Sequence, residues 1–464
     1  MREWVCAALS AVLFYFSQGL ADAWLLTWIA PAPLLWLAFG NTPAWRLALA
    51  SFVAYLAGQI YIPQCYGDAP PLAIAIIFGL RPILFPFAIL FARLVQRGCG
   101  SFAALLAFPA CWTAADYVVS LLSRHGTYGS IAYSEMSAPL VLQSASLFGM
   151  YSVTFILCLF ASALALAARG GRTAFAAAGA GVALCAVDIT FGAARLLEPQ
   201  SSVVRVAALA ETRFADQDDV LGLNVDASTA LASAARELGG RGAKLLVAPE
   251  ESLATRRAWR QEVFAPLQTT SAQTGAKIVA GFHERAPFGD IATAFSPDGS
   301  WRVYAKRHLL QPIESQFTPG DAPGVLGGGM AMEICKDMDF PETIRQDART
   351  GLTLVAVPAW DFGTDAWLHA RPAIMRGVEN GFAVVRAANN GLLTASDAQG
   401  RLIARKAVDT DQLVWIQADL SLGPGPTLYT RIGDVFPWTC LALTFVLAAA
   451  CRVGLKSRSA KAKI

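Results

Sequence analysis

Three residues that can act as an acid, a base or a nucleophile each follow a short apolar run in the second half of the chain. They are Glu250, Lys306 and Cys335, and each preceding run is typical of a strand. In open α/β sheets, active sites collect at such strand ends. Brought together, these side chains suit acyl transfer, because a thiol can attack a carbonyl while a carboxylate takes its proton and an ammonium stabilises the oxyanion.

Cysteine usage also draws attention to Cys335. The other eight of the nine cysteines lie in or beside long apolar segments, where cysteine behaves as a small hydrophobic residue. A lone thiol cannot form a disulfide within its own domain, and in an oxidising compartment it is a liability unless it is used. The pattern favours a nucleophile, and an inert buried cysteine at the end of a strand is the alternative.

Other site types have less support in the sequence. A Cys–His pair would have to recruit His283, His308 or His369. The motifs Gly-x-Ser-x-Gly, Cys-x-x-Cys and His-Glu-x-x-His do not occur, so a serine hydrolase, a redox motif and a zinc site are not indicated. Gly327–Gly329 is predicted to be a loop rather than a phosphate cradle. We therefore expect neither a metal nor a cofactor.

The elements that would position these residues are short strands alternating with helices. Strand-like runs begin at Val203 and continue to Ala418, with hairpin signals at 296–299 and 396–400. Several runs are apolar at every position, as expected for strands buried on both faces. This part of the chain is predicted to be a layered α/β domain with its own core.

The first part of the chain has a different composition. Only 15% of all residues are charged, and residues 1–196 hold nine Arg, no Lys and six Asp or Glu. A transmembrane helix needs about 20 mainly apolar residues. We predict about seven such helices before residue 197, at about 5–20, 24–40, 47–66, 71–95, 102–122, 147–168 and 173–195. An eighth covers 436–453, and the first two could instead form one re-entrant hairpin.

The distribution of positive charge gives an orientation. With the N-terminus in the cytoplasm, the inner loops and the tail hold Arg2, Arg46, Arg93, Arg97, Arg169, Arg172, Arg452, Lys456, Arg458, Lys461 and Lys463. The outer loops hold Asp68, Arg124 and Glu135, as the positive-inside rule requires. We predict a membrane domain over 1–196, an extracytoplasmic catalytic domain over 197–435, a last transmembrane helix over 436–453 and a basic cytoplasmic tail over 454–464. The first apolar run also resembles a secretory signal, and its cleavage would leave this topology unchanged.

Three charged residues fall within the apolar segments. Arg81, Asp116 and Asp188 would each cost at least about 2.5–3.5 kcal/mol at the centre of a bilayer. They could form a polar surface that receives a head group, or they could pair with one another. No basic stripe interleaved with aromatic residues occurs, so we expect no nucleic acid partner.

The residues around the three candidates resemble the signatures of the nitrilase, or carbon–nitrogen hydrolase, superfamily. The matching runs are Ala248–Glu250, Tyr304–Leu309 and Glu333–Asp337. The resemblance implies an αββα sandwich in which Glu250 is the general base, Lys306 the oxyanion stabiliser and Cys335 the nucleophile. It also implies that Glu314 supports this triad.

The whole arrangement is similar to the bacterial apolipoprotein N-acyltransferase family. Runs in the membrane half carry this resemblance, as do Arg386–Gly391 and Thr427–Asp434; the membrane-half runs are Pro109–Trp112, Gly129–Ser134 and Ser146–Phe155. It implies transfer of an acyl chain from a membrane phospholipid, through a Cys335 thioester, to the N-terminal amine of a diacylated lipoprotein. It also implies a multi-pass protein of the inner membrane, with its catalytic domain on the periplasmic side and no nucleotide requirement.

Some positions depart from that family. It has an aromatic residue and then Glu after the nucleophile, whereas this chain has Lys336 and Asp337, which we treat as supporting residues. Lys336 could lower the thiol pKa or bind a phosphate head group, or it could be solvated. Alternatives are therefore a membrane-tethered amidase acting on small amides, an acyltransferase paralogue with another amine acceptor, and a non-enzymatic scaffold.

Overall fold

The computed structural model describes residues 1–66, 74–75, 78–199, 202–211, 219–409 and 412–461. Asp68 and Lys463, which the charge distribution places in an outer loop and in the tail, lie outside these residues. The chain divides into two compact units. One comprises Met1–Leu197 with Ile432–Ile464, and the other comprises Glu198–Arg431.

The first unit is helical. Its helices are α1 (Arg2–Gln18), α2 (Ala32–Ala38), α3 (Ala44–Gly58), α4 (Tyr61–Cys65), α5 (Leu80–Cys99), α6 (Ser101–Leu122), α7 (Pro139–Leu142), α8 (Ala145–Phe148), α9 (Met150–Arg169), α10 (Arg172–Leu196) and, after the second unit, α16 (Val435–Lys461). Long runs of Ala, Leu and Phe without charge favour helices here, because a helix satisfies its own backbone hydrogen bonds in lipid.

Six helices in the described part of the chain are long and apolar enough to cross a membrane. They are Ala44–Cys65, Leu80–Cys99, Ser101–Leu122, Met150–Arg169, Arg172–Leu196 and Val435–Val453. This differs from the expectation of about seven before residue 197. Helix α1 has 17 residues, and 24–40 holds a short 3-10 helix at Trp24–Leu26 followed by the seven residues of α2. Seven helical residues span only about 10 Å, well short of a bilayer.

The charged residues inside the apolar helices are paired in part. Arg81 on α5 donates from Nε to Asp116 Oδ1 on α6 at 2.9 Å, and both side chains are buried. Arg81 also donates to the carbonyl oxygen of Tyr128, and Ser130 donates to the second oxygen of Asp116. Of the two alternatives for Arg81 and Asp116, the structure therefore supports pairing with each other and not an open surface for a head group.

The second unit contains two β-sheets. The strands are β1 (Val203–Ala210), β2 (Leu245–Val247), β3 (Leu253–Thr255), β4 (Lys277–Arg285), β5 (Phe288–Phe295), β6 (Trp301–Ala305), β7 (Val325–Gly327), β8 (Met330–Met332), β9 (Leu354–Trp360), β10 (Ala383–Asn389), β11 (Leu392–Ser396), β12 (Leu402–Ala407) and β13 (Val414–Ser421). One sheet has the order β13-β1-β2-β4-β5-β6, with β3 paired to β4, and the other has the order β12-β11-β10-β9-β8-β7.

Helices cover the outer faces of both sheets. They are α11 (Leu221–Gly240), α12 (Arg260–Thr274), α13 (Pro341–Ala348) and α14 (Ala366–Asn380). A short helix, α15 (Leu428–Ile432), lies at the boundary where the second unit ends. Val247 and Val385 belong to a core between the sheets, Phe264 to a core under α11 and α12, and Ile344 to a core under α13 and α14. The unit is thus an αββα sandwich, as predicted.

Strand directions set where the loops gather. Strand β2 is parallel to β1 and β4, and β8 is parallel to β9. The predicted run at 292–304 is two strands, β5 and β6, joined by the turn at Ser296–Gly299 and paired antiparallel. The short strands β3 and β7, three residues each, were not predicted. Three residues are too few to show the alternation that identifies a strand.

Candidate active site

Glu250 lies in the loop that follows β2 and is buried. Its N–H donates to the carbonyl oxygen of Ala359 at 3.3 Å, and its own carbonyl oxygen accepts from Nδ2 of Asn389 at 3.2 Å. The loop passes directly over Gly281 of β4, where an added Cβ would come within 2.5 Å of Glu250 Cα. Only glycine permits this approach.

Lys306 follows β6 and is also buried. Its backbone N–H donates to the Asp290 carbonyl oxygen at 3.0 Å. Its ammonium donates to Oε1 of Glu250 at 2.5 Å and to Oε1 of Glu314 at 2.6 Å, and it lies 3.1 Å from Oδ2 of Asp290. Three carboxylates therefore surround one cation.

Cys335 follows β8 and begins a short 3-10 helix, Cys335–Asp339. Its φ is 36°, in the left-handed region that side chains other than glycine seldom adopt. Such strain costs on the order of 1–3 kcal/mol and is concentrated at functional sites. The thiol donates to the Trp360 carbonyl oxygen at 3.5 Å.

The charge environment of the thiol defines what a reaction would require. Burial raises the pKa of Cys335 well above its usual value, and the negative charge of Glu250 adds to this, while Lys306 and Arg386 oppose it. The resting group is thus a thiol and not a thiolate. Burial likewise raises the pKa of Glu250 well above the ordinary carboxyl range, which makes its ionised form a stronger base.

Asp337, which we predicted as a supporting residue, connects the loops that carry Lys306 and Cys335. Its Oδ1 accepts from the backbone N–H of Arg307 at 3.2 Å and of His308 at 2.8 Å. Its Oδ2 accepts from the backbone N–H of Ile334 at 3.2 Å and from the Tyr304 hydroxyl at 2.7 Å. One fully buried carboxylate thus holds both loops.

Two further charged groups lie near the thiol. Lys336 is buried, so it is not the solvated side chain that was one alternative; its ammonium lies 5.9 Å from the centre of the Phe340 ring. Burial lowers its pKa, and Asp339 opposes that shift. Arg386 forms a buried bidentate ion pair with Asp361.

The three histidines considered as partners for the thiol pair with carboxylates. His283 Nδ1 lies 3.1 Å from Glu251, His308 Nδ1 lies 3.0 Å from Asp337, and His369 Nε2 lies 2.8 Å from Asp365. His308 also stacks on Phe340. These contacts favour the Glu–Lys–Cys arrangement over a Cys–His pair.

The structure brings Glu250, Lys306 and Glu314 into direct contact, with Cys335 near enough for its pKa to respond to Glu250 and Lys306. Sequence reasoning missed Asp290. It occupies the same face of β5 as Ala292 and Ala294, which lie in the core between the sheets. A carboxylate in register with small apolar core residues was the signal that could have identified it.

Oxygens of Glu250, Asp290 and Glu314 lie within 4.8 Å of one another, a spacing that can suit a metal ion. The Lys306 ammonium already contacts all three carboxylates. These residues therefore fit an internal ion-pair cluster better than a metal centre.

Comparisons with known proteins match both units. A family model described as the apolipoprotein N-acyltransferase N-terminal domain matches residues 10–163, and a carbon–nitrogen hydrolase model matches residues 204–422. Among solved structures, an amidase from Nesterenkonia sp. is 23% identical, with a TM-score of 0.41, over 51% of this chain and 95% of that chain.

Full-length relatives share the same pairing of units. An apolipoprotein N-acyltransferase from Geobacter metallireducens is 26% identical over 97% of this chain and 95% of its own length. One from Vibrio vulnificus is 23% identical over 96% of each chain. The two family models together match most of the chain, and the relatives extend over nearly all of it. Over nearly its whole length the chain is therefore similar to apolipoprotein N-acyltransferases, and its second unit matches the carbon–nitrogen hydrolase family.

Proposed function

We propose that this protein transfers an acyl chain from a membrane phospholipid to the N-terminal amine of a diacylglyceryl-cysteine lipoprotein. The acyl chain is carried on Cys335 as a thioester. The observation that supports the proposal most directly is the contact of Glu250 with Lys306, beside the half-buried Cys335. Desolvation raises the pKa of its thiol, so the thiol requires a base.

In the first step, Cys335 Sγ attacks the ester carbonyl carbon of the phospholipid. Glu250 takes the thiol proton, and the Lys306 ammonium stabilises the oxyanion. The carbon–oxygen bond then breaks, and the proton passes from Glu250 to the departing alkoxide. The products are a lysophospholipid and the thioester.

In the second step, the amine of the lipoprotein attacks the thioester carbonyl. An α-amine with a pKa of about 8 is largely protonated near neutrality, so Glu250 acts again as the base. The carbon–sulfur bond breaks, the thiolate regains a proton, and an amide is released. The amide is more stable than the ester that was consumed, so no nucleotide or other cofactor is required.

The surrounding residues have supporting roles in this proposal. Glu314 holds the Lys306 ammonium in place, and Asp337 fixes the loops that carry Lys306 and Cys335. Lys336 adds positive charge next to the nucleophile, where the family more often has an aromatic residue. That difference bears on which amine is accepted.

The bilayer is the place where both substrates are found, and the six apolar helices make this a multi-pass bacterial membrane protein. Holding two reactants in place offsets several kcal/mol of association entropy. We place the protein in the inner membrane, with 197–435 as the catalytic domain on the periplasmic side, 436–453 as the last transmembrane helix and 454–464 as a cytoplasmic tail. The arginines of the predicted inner loops support this orientation.

The test is acyl transfer with purified protein. A phospholipid with an isotope-labelled acyl chain is incubated with the enzyme and a synthetic diacylated lipopeptide, and the lipopeptide is weighed by mass spectrometry. We expect one labelled acyl chain on the peptide amine. Cys335→Ala should abolish transfer, whereas Cys99→Ala, which changes an exposed cysteine outside the site, should not.

Other outcomes are informative. Release of free labelled fatty acid with an unmodified lipopeptide would indicate a hydrolase. Hydrolysis of small amides without use of phospholipid would favour the amidase alternative. Transfer to a different amine, but not to the lipopeptide, would indicate a paralogue with another acceptor.

A further inference from the structure

Asp290 is a charged residue of the site to which neither acyl-transfer step assigns a function. It lies in the interior of β5 and is 1% exposed. Its Oδ2 is 3.1 Å from the Lys306 ammonium, and one of its oxygens lies within 4.8 Å of oxygens of Glu250 and Glu314. It is therefore in the same charge cluster as the base.

The cluster has more negative than positive charge. Glu250, Asp290 and Glu314 together carry three negative charges when ionised, against one positive charge on Lys306. A buried net charge of that size is expensive, and carboxylates that share a site do not all ionise together. At least one of the three carboxyl groups must therefore hold a proton.

The hydrogen bonds indicate which groups hold it. Both oxygens of Glu314 act as acceptors, from Lys306 Nζ and from the backbone N–H of Leu310, each at 2.6 Å, which favours the ionised form. Among the described residues, no N–H or O–H group donates a well-aligned hydrogen bond to either oxygen of Asp290. An oxygen of Asp290 lies within 4.8 Å of an oxygen of Glu250, and both carboxyl groups contact the same Lys306 ammonium. Two buried carboxyl groups this close to each other, with one ammonium between them, favour a state in which one proton is retained by the pair.

We propose that Asp290 and Glu250 share one proton, and that Asp290 is a positioning residue that raises the affinity of Glu250 for protons. The inference rests on the proposed function in one respect only, namely that Glu250 is the base for Cys335. A negative charge beside Glu250 raises its pKa, so Glu250 takes up its proton at a higher pH and its ionised form is a stronger base. Burial raises the pKa of Asp290 itself to about 6, above the ordinary range of an aspartate.

Other charged groups near Asp290 also affect its protonation. Lys306 lowers its pKa, and Glu251 and Glu314 raise it. His283, which pairs with Asp290 across β4 and β5, is itself engaged by Glu251 at 3.1 Å. Replacing Asp290 by Asn removes one negative charge from this set and retains nearly the same shape.

The test is the pH dependence of Cys335 alkylation in the full-length protein. Iodoacetamide reacts with the thiolate, and peptide mass spectrometry measures the rate at Cys335 separately from the other eight cysteines. In Asp290→Asn, we expect the acid limb of the rate profile to move to lower pH by about one unit, a tenfold change in proton affinity. Asp419→Asn, which removes an exposed carboxylate of the same unit, should match the wild type.

A double-mutant comparison shows whether the effect passes through Glu250. In Glu250→Gln, the Asp290→Asn change should produce no further shift. An Asp290→Asn profile with the wild-type midpoint would overturn the proposal, as would an equal shift in the Glu250→Gln background. If Asp290→Asn does not accumulate, Asp290→Ser, which is smaller and also neutral, is measured with the same criteria.

This measurement uses neither phospholipid nor lipopeptide. An unshifted midpoint of the alkylation profile in Asp290→Asn would therefore contradict the role of Asp290 without contradicting acyl transfer. A shifted midpoint, in a protein whose wild type forms no acyl-enzyme, would support the role of Asp290 and contradict the proposed function.

Discussion

At the scale of single residues, the site depends on one cation among three carboxylates. Lys306 is hydrogen-bonded to Glu250 and Glu314 and lies 3.1 Å from Asp290. Removing one partner of a buried charge cluster costs about 3–5 kcal/mol, because the remaining charges lose their compensation. Lys306 therefore has a structural role as well as the catalytic role proposed for it.

Lys306→Met tests that structural role. Methionine has a similar length and no charge, so the variant leaves the three carboxylates unpaired. We expect a loss of about 3–5 kcal/mol in the free energy of unfolding at pH 8. The loss should shrink toward pH 5, because the folded variant takes up protons on carboxyl groups whose pKa is raised further. Thermal unfolding in detergent at both pH values measures this.

The matched control is Lys277→Met, which removes a half-buried lysine bound to Ser296 on the same sheet. Its effect should be small at both pH values. A Lys306→Met loss that is equal at pH 5 and pH 8 would show that the carboxylates do not depend on this cation.

At the scale of elements, the loops after β2, β6 and β8 carry the site, and close backbone contacts hold them. The loop after β2 passes over Gly281, and Gly281 donates its N–H to the carbonyl oxygen of Pro249 at 3.0 Å. The loops after β6 and β8 are joined through Asp337. Substitutions that change these contacts should therefore change the rate of the reaction at Cys335.

Gly281→Ala should lower the rate of acyl-enzyme formation at least tenfold, because the new Cβ displaces the backbone of Glu250. A misplacement of about 1 Å can cost on the order of a hundredfold in rate. Single-turnover kinetics with labelled phospholipid measure it. Gly240→Ala is the control, since nothing lies within 4 Å of a Cβ there. Equal rates in Gly281→Ala and the wild type would mean that the loop does not need this approach.

Asp337→Asn should destabilise the second unit by about 2–3 kcal/mol. The amide keeps one acceptor oxygen and places an NH2 group where the carboxylate accepted hydrogen bonds from buried donors. Chemical unfolding followed by tryptophan fluorescence tests this, with the exposed Asp298→Asn as the reference. A stability equal to that reference would show that Asp337 is not what joins the loops.

The sequence predicted the strand ends better than the strand interiors. Glu250, Lys306 and Cys335 were found because each follows an apolar run, and strand ends are where side chains meet. Asp290 was not found, because it belongs to no motif and only its register with the core residues Ala292 and Ala294 marks it as buried. Its contact with Lys306 depends on how β5 and β6 pair, which is a tertiary property. The ion pair of Arg386 with Asp361 was missed for the same reason.

Helix continuity in the first unit was also hard to predict. The segment 24–40 is apolar enough to span a membrane, yet it is broken before Pro31. It forms a 3-10 helix at Trp24–Leu26 and a seven-residue α-helix at Ala32–Ala38. Hydropathy counts apolar residues and does not register the backbone constraint that proline imposes.

At the scale of the whole molecule, composition separates the chain into a membrane unit and a charged α/β unit. The low overall charge of 15% is the average of the two. The predicted orientation places the α/β unit outside the cytoplasm, where phospholipids of the outer leaflet and exported lipoproteins are available. Because the predicted inner loops are rich in arginine, this orientation is testable at single positions.

Cysteine labelling tests the orientation. Asp298→Cys, in an exposed turn of the α/β unit, should react with a membrane-impermeant maleimide in right-side-out vesicles. Thr173→Cys, exposed at the start of α10, should react only in inside-out vesicles. The wild-type chain provides the background from native cysteines. The reverse pattern would place the α/β unit in the cytoplasm.

Acyl transfer by the proposed route requires that Cys335 carry the acyl chain as a thioester. Purified protein is incubated with phospholipid that bears a labelled acyl chain and without any acceptor, and the peptide containing Cys335 is weighed before and after neutral hydroxylamine. We expect the mass of one acyl chain on that peptide, removed by hydroxylamine and absent from Glu250→Gln and Lys306→Met. An unmodified Cys335 in a wild-type protein that still acylates a lipopeptide would contradict it.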